Sequence, residues 1–384
     1  MTNQDAADKG KGKGLPPLYF CAEWARDKAA TWSGTTWALH EALGRYFDVR
    51  DVELSQGRRS LASRALGRLR RKAGRDDFGM AALDDQQRGF DACNANEGPF
   101  FQFSEVPAVS AGSRNYVYQD LAVEWLWDCK RDDPTTFAYT GFQNMADKAF
   151  AARLARQRAF YKDCAGVFTM GRWMADYLVG ECGLPAAKVH HAGGGVNSSA
   201  SGAQTERHGN TFLFAGRDFV RKGGDLVLEA FRMLHEEDGS LRLVIAGPGE
   251  DPAPGMAGVK YVGDVGNQEL GDLMATSDVF VMPSRFEAYG LVFPEAMAAG
   301  LPCVGRGRFE MPYFIQDGRN GKLVHGDDVA ELARAMRECL TSGAIRESAA
   351  AGAEEARREF SWDAVAKRIA AVIEGDERDR LERV

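Results

Sequence analysis

The sequence predicts an α/β protein made of two Rossmann-like doubly wound domains that face each other across a cleft. Three observations carry that expectation. In the second half, short apolar runs alternate with longer stretches of helical periodicity, which places parallel strands in one sheet with helices on both faces. The first half repeats the alternation more loosely. The 384 residues also suffice for two domains of ordinary size.

Taken in order, residues 18–21 read as the first strand, followed by a loop to Ser33-Gly34-Thr35 and a helix ending near Tyr46. Further strands are expected at 47–52, 100–103, 116–119, 166–169 and 189–191. The small, polar, glycine-containing stretch VNSSASGAQTERHGN at 196–210 reads as an inter-domain connection. Beyond it, strands are expected at 211–215, 242–246, 259–262, 279–282 and 302–304, with helices at 225–235, 268–276 and 292–299. A last helix over 362–373 follows Ser361, a residue suited to N-capping. Residues 1–16 read as a disordered polar tail, 17–197 as one domain and 198–360 as the other, with 361–384 packing back on the first.

Composition excludes several classes. Hydrophobic residues make up 45% of the chain and charged residues 27%, as in a soluble globular protein. No apolar run reaches the roughly 20 residues of a membrane span. The N-terminus MTNQDAADKGKGKG lacks the apolar core of a signal peptide. The seven cysteines are an odd number without C-x-x-C spacing, which argues against a disulfide framework or a zinc site and for a reducing cytoplasm. A net charge of −7 argues against nucleic acid as a partner. One segment runs the other way. Residues 57–75, GRRSLASRALGRLRRKAGR, carry basic side chains and no acidic one. At helical spacing Leu61, Leu66 and Leu69 fall on one side and Arg64, Arg68, Arg71 and Arg75 on another. Such a helix suits peripheral contact with an anionic membrane, at the inner face for a cytoplasmic protein. It equally suits a solvated helix packed on the domain by its leucines.

The densest chemistry lies in PSRFEAYGLVFPEAMAAGLPCV, residues 283–304. A strand leaves the sheet at Pro283, and open α/β sheets bind ligands at the carboxyl ends of their strands. Pro294 suits the first turn of a helix, and Gly300 with Pro302 closes it. Glu295 then sits in the first helical turn and Glu287 on the loop before it. The free N–H groups of Gly290 to Phe293 are expected to face the cleft, where an anion can sit. Carboxylates on either side of an anion site can accept hydrogen bonds from hydroxyls, and a nucleotide sugar offers ribose hydroxyls, a diphosphate and sugar hydroxyls in that order. The stretch FLFAGRDFVRKGGDLVLEAF adds the cations: Arg217 and Lys222 stand on a loop between a strand end and a helix start, a diphosphate clamp.

These stretches, with VFTMGRWMADYLVGECGLPAAKVHHAGGGVN and IQDGRNGKLV, resemble the retaining glycosyltransferases of family four (group 1), which have the GT-B fold. The resemblance runs from about residue 167 to 362. It implies an N-terminal acceptor-binding domain and a C-terminal domain that binds a nucleotide-sugar donor. By the same resemblance Arg217 and Lys222 bind the donor diphosphate, Glu287 contacts the donor sugar and Glu295 holds the ribose. Gly290, Leu291 and Val292 supply backbone donors at the helix start. Asp264 and Val265 lie at the base, and Gly34 belongs to a glycine loop near the phosphates. The family often places His before an acidic residue at one N-terminal strand end, facing the reacting sugar. Here Gln119-Asp120 stands there, as a contact for donor or acceptor. Glutamine hydrogen-bonds a hydroxyl but takes no proton, and Asp120 also suits the N-cap of a helix from Leu121.

The implied activity is transfer of a hexose-type sugar from a nucleoside-diphosphate sugar to an acceptor hydroxyl on a glycan, lipid or small-molecule glycoside. No cofactor is expected. The chain contains no D-x-D triplet, so no metal is expected at the diphosphate. Asp132-Asp133 and Asp327-Asp328 read as solvated loop or capping residues. Two other readings fit the same architecture: a non-hydrolysing nucleotide-sugar epimerase, and a non-catalytic binding or partner subunit.

Overall fold

The computed structural model describes residues 14–54, 83, 86–87, 90, 98–103, 114–198 and 207–381. The basic segment 57–75, the first thirteen residues and the middle of the inter-domain connection lie outside the described residues.

Each domain is built on a six-stranded parallel sheet. In the first, β1 (Pro17–Ala22), β2 (Asp48–Glu53), β3 (Phe100–Phe103), β4 (Asn115–Gln119), β5 (Gly166–Thr169) and β6 (Val189–His191) take the order β2-β1-β3-β4-β5-β6. In the second, β7 (Thr211–Ala215), β8 (Arg242–Ala246), β9 (Val259–Gly263), β10 (Val279–Met282), β11 (Cys303–Arg306) and β12 (Gly321–Val324) take the order β12-β11-β10-β7-β8-β9. The strands read as near-continuous apolar runs because both faces are covered: Phe212, Leu213 and Phe214 are wholly buried, as are Val279 to Met282.

Both orders reverse direction once, at β1/β3 in the first sheet and at β7/β10 in the second. Loops leaving neighbouring strands at such a point diverge to opposite faces of the sheet and leave a crevice beyond the strand ends. The two crevices face each other here. The loop after β1 and the loops after β7 and β10 line one cavity of about 410 Å³, within the range of small-molecule sites.

The C-terminal helix, Trp362–Leu381, starts in the second domain and lies on the first. Ser361 accepts the Ala364 N–H at 3.1 Å, the Tyr116 hydroxyl donates to Asp376 at 2.6 Å, and Arg45 pairs with Asp363 at 2.6 Å. The helix runs eight residues past its expected end. Its last turns are polar and carry little periodicity; Asp376 meets Tyr116 and Glu377 pairs with Arg114. Two other elements differ from expectation. The stretch before Gly34 is a 3-10 helix, Lys28–Gly34, capped by Asp27. The edge strand β12 is too short, and too rich in Gly and Lys, to stand out as an apolar run.

Candidate functional site

The loop after β10 is fixed before any ligand is considered. Arg285, almost fully buried, donates to both carboxylate oxygens of Asp225 at 2.7 and 2.8 Å and to Asp327 at 3.0 Å. Asp327 also accepts from Arg306 at 2.6 Å. The arginines hold the Asp327 carboxyl below its ordinary range even though burial acts the other way. Asp327 is therefore a buttress of this loop as well as a solvated residue, its side chain half exposed. Asp328 beside it does cap a helix, accepting from the N–H groups of Ala330 and Glu331.

Glu287 emerges from this braced loop into the cavity, 7% exposed, and pairs with Lys222 from the loop after β7. Ser284 Oγ stands 3.5 Å from the same carboxylate. Arg217 lines the cavity nearer its mouth, where its Nε donates to Asp264 at 2.9 Å. Asp264 and Val265, after β9, form the wall beside it. The expected cations and both carboxylates thus meet in one space, although each cation is already engaged with a carboxylate.

Gly290 turns the chain from the loop into the helix Val292–Ala298 with φ +86°, a value L side chains rarely adopt. A Cβ there would lie 3.0 Å from Glu287 Cγ. The N–H groups of Gly290, Leu291 and Val292 find no acceptor among the described residues. That of Phe293 does, donating to Gly290 O at 2.9 Å. The expected row of free donors is therefore one shorter, because the turn closes on itself.

Glu295 also lines the cavity, 7% exposed. One of its oxygens, Oε1, accepts the N–H groups of Asn197 at 3.1 Å and Ser198 at 3.0 Å, the start of the inter-domain connection. Burial raises its pKa despite those donors. Besides facing the ligand space, this carboxylate ties the connecting strand to the second domain.

On the facing domain the outcome is mixed. Asp120 lines the cavity. It is not an N-cap: the helix begins at Val123 with Ala122 in the cap position. Burial pushes the Asp120 carboxyl up to about 6, against two backbone N–H groups, and the negative charge of Glu287 across the cleft adds to the rise. Gln119 is a correction. Its side chain is wholly buried behind the strand, where Nε2 and Oε1 both pair with the Tyr161 hydroxyl at 2.7 and 2.9 Å. The strand ends at Gln119, and Asp120, just beyond it, is the one of the two that reaches the cavity. Gly34 has φ +87° and turns the chain into the helix Thr35–Leu43. It does not itself line the cavity; Trp32 and Thr35 on either side of it do.

Several cavity residues had no signal in the sequence. Asn197 comes from the connection, Met170 from the end of β5 and Tyr289 from the braced loop. Trp32, two residues before Gly34, lines the same cavity. It adopts φ +47° and is 38% exposed at the mouth. Among the described residues no group of three or more His, Cys, Asp or Glu side chains could hold a metal ion. No helix among them is long and apolar enough to cross a membrane.

Residues 209–342 match the family model described as Glycosyl transferases group 1. Phosphatidyl-myo-inositol mannosyltransferase of Mycobacterium leprae is 33% identical over 214 residues, which cover 53% of this chain and 56% of the relative. D-inositol 3-phosphate glycosyltransferase of Streptomyces coelicolor is 33% identical over 178 residues, 42% of this chain and 39% of the relative. The chain thus spans about half the length, or less, of these curated relatives. Sucrose-phosphate synthase from Thermosynechococcus elongatus superposes with a TM-score of 0.67 at 16% identity, covering 96% of this chain and 99% of that one. WaaG, a glycosyltransferase involved in lipopolysaccharide biosynthesis, gives 0.60 at 15% identity over 93% and 99%. At those identities the likeness is one of fold. Residues 209–342 thus match the model of the glycosyl transferases group 1 family, and the chain as a whole has the GT-B fold.

Proposed function

We propose that the protein is a retaining glycosyltransferase that moves a hexose-type sugar from a nucleoside-diphosphate sugar to an acceptor hydroxyl. The observation that carries this reading is the meeting of Arg217, Lys222, Glu287, Glu295 and the unpaired amides of Gly290 to Val292 in one cavity at the crossing of two switch points. Cations and amides suit a diphosphate, and carboxylates at either end suit hydroxyls.

In this reading Glu295 holds the ribose, Asp264 and Val265 border the base, and Glu287 holds the sugar. As the bond from the anomeric carbon to the phosphate oxygen breaks, negative charge builds on the diphosphate. Arg217, Lys222 and the amides stabilise it, and preorganised donors of this kind are worth about 3 kcal/mol each in a dry site. The acceptor oxygen forms its new bond on the same face, and its proton passes to the departing phosphate oxygen. Configuration is retained and no separate base is required. Asp120, at the facing wall, accepts a hydrogen bond from a hydroxyl of donor or acceptor.

The named relatives act on inositol-bearing molecules, which makes myo-inositol and inositol 3-phosphate the first acceptors to try. The test has two steps. A thermal-shift panel of UDP- and GDP-hexoses identifies the donor, since a ligand of the folded state raises apparent stability. Glu287→Ala then abolishes transfer from that donor while nucleotide binding stays measurable. Wild-type transfer by Glu287→Ala would sink the assignment.

A further inference from the structure

We infer that Trp125 and Trp173 of the first domain are positioning residues for Glu287, docking the residues on either side of it so that the site takes its working geometry only while the domains are together. The inference rests on the glycosyl-transfer reading above.

The Trp125 ring stacks on Phe286 with centroids 5.2 Å apart and planes 14° from parallel. The Trp173 indole N–H donates to the Ala288 carbonyl at 2.6 Å. Glu287 lies between those two contacts and faces the cavity. The two tryptophans meet edge to face at 5.3 Å, so the contacts share one support. Phe309 completes the cluster, 5.6 Å from Trp125, 5.2 Å from Trp173 and 5.4 Å from Phe286. Its backbone has φ +58°, a genuine outlier for a bulky residue. Such a conformation persists where surrounding packing over-determines it, and it clusters at clamps and switches. The packing that holds Phe309 comes from both domains.

The other contacts across this edge are polar and flank the aromatic group. Arg308 donates to Thr136 and Asp133 at 2.8 Å each, and Glu310, fully buried, accepts the Trp173 N–H at 3.2 Å. Within its own domain the loop is anchored at Arg285, one residue before Phe286. Arg221 of the same domain also donates to the Phe286 carbonyl at 3.1 Å, whereas the Phe286 ring and the Ala288 carbonyl are held from the other domain. Parting the domains would break the stack and the hydrogen bond in one motion. Glu287 would keep Lys222, Ser284 and the Arg221 bond to the Phe286 carbonyl but lose the Ala288 anchor and the stack on the Phe286 ring. Closure that completes a catalytic constellation is a general device. Here it would act through the neighbours of the carboxylate and not through the carboxylate itself.

Three variants test this, assayed with the UDP- or GDP-hexose selected by the thermal-shift panel, by release of nucleoside diphosphate with water or myo-inositol as acceptor. Trp173→Phe removes only the indole N–H and Trp125→Ala removes the stacking face. Each is expected to lower kcat by roughly 10- to 100-fold, the scale of a small misplacement of reacting groups. Affinity for the free nucleoside diphosphate should stay within about threefold, because its ligands lie in the other domain. Trp125→Phe, which keeps an aromatic face, should recover most of the lost kcat. The inference falls if Trp173→Phe and Trp125→Ala keep wild-type kcat, if nucleotide affinity falls in step with kcat, or if Trp125→Phe is as impaired as Trp125→Ala. Should Trp125→Ala fail to fold, Trp173→Phe decides alone. Active tryptophan variants beside an inactive Glu287→Ala overturn only this inference, whereas an active Glu287→Ala overturns the function beneath it.

Discussion

Lys222 and Arg217 are expected to stabilise the same leaving group, yet the structure separates what each does for folding. Lys222 and Glu287 side chains are 15% and 10% exposed and form an ion pair. Removing one member of a buried pair leaves the other charge uncompensated, at about 3–5 kcal/mol in a sealed interior. Both groups border a cavity that admits water, so Lys222→Ala should cost roughly 2 kcal/mol. Arg217 and Asp264 are 70% and 58% exposed. An exposed pair of that kind contributes about 0–1 kcal/mol, so Arg217→Ala should unfold within a degree or two of wild type. On turnover the two should converge. Each variant loses one preorganised cation at the diphosphate, about 100- to 1,000-fold in kcat. Thermal melts of both variants and of Lys222→Ala/Glu287→Gln, alongside steady-state kinetics, make the comparison. The double variant should recover part of the stability lost in Lys222→Ala, because no buried charge is stranded, and none of the activity. If Arg217→Ala were fully active, or if Lys222→Ala were as stable as wild type, the arrangement of charge argued above would be wrong.

Two further predictions read the walls of the same cavity. The folded protein holds the Asp120 proton more tightly than the unfolded chain, with a carboxyl raised to about 6 by burial. Its contribution to stability is therefore present in full below pH about 4 and lost as pH rises through 6. Asp120→Asn should melt with wild type at pH 4 and above it at pH 8, by about 1–2 kcal/mol once access of water to the cavity is allowed for; a difference that does not change with pH would refute the assignment. Gly290→Ala should lower stability by roughly 1–3 kcal/mol, from the left-handed backbone and the 3.0 Å approach of the new methyl group to Glu287 Cγ. Its kcat should fall further than its melting temperature implies, since the displaced atom belongs to Glu287, and an unchanged kcat would count against that coupling.

How far the site could be read in advance follows from how local its parts are. Arg217 and Lys222 sit within a dozen residues of the strand and helix that aim them, and so do Glu287, Gly290 and Glu295. Strand end, turn glycine and helix start all fall within one short window, where periodicity and turn chemistry have something to act on. Gln119 failed for a different reason. It ends its strand, and which way its side chain points depends on Tyr161, 42 residues away. Asp327 is solvated as its loop position suggests, but nothing near it in sequence reveals that Arg285 and Arg306 also converge on it.

The same argument explains why the contacts that join the domains were the least legible. The Trp173–Ala288 bond spans 115 residues and the Trp173–Glu310 bond 137. Nothing local to the tryptophans in EWLWD and GRWMA says what they pack against, since an amphipathic helix in any domain has an apolar face. Whether that face meets its own sheet or another domain is decided by the packing of two sheets that do not share a strand. The pocket of the second domain is written into a few short windows of that domain. Its dependence on the other domain is not, because it rests on the Phe286 ring and the Ala288 carbonyl on either side of Glu287, both silent on chemistry. Phe286 and Ala288 are therefore the positions at which the architecture of the first domain can alter the geometry of the second domain's pocket without changing any residue that lines it.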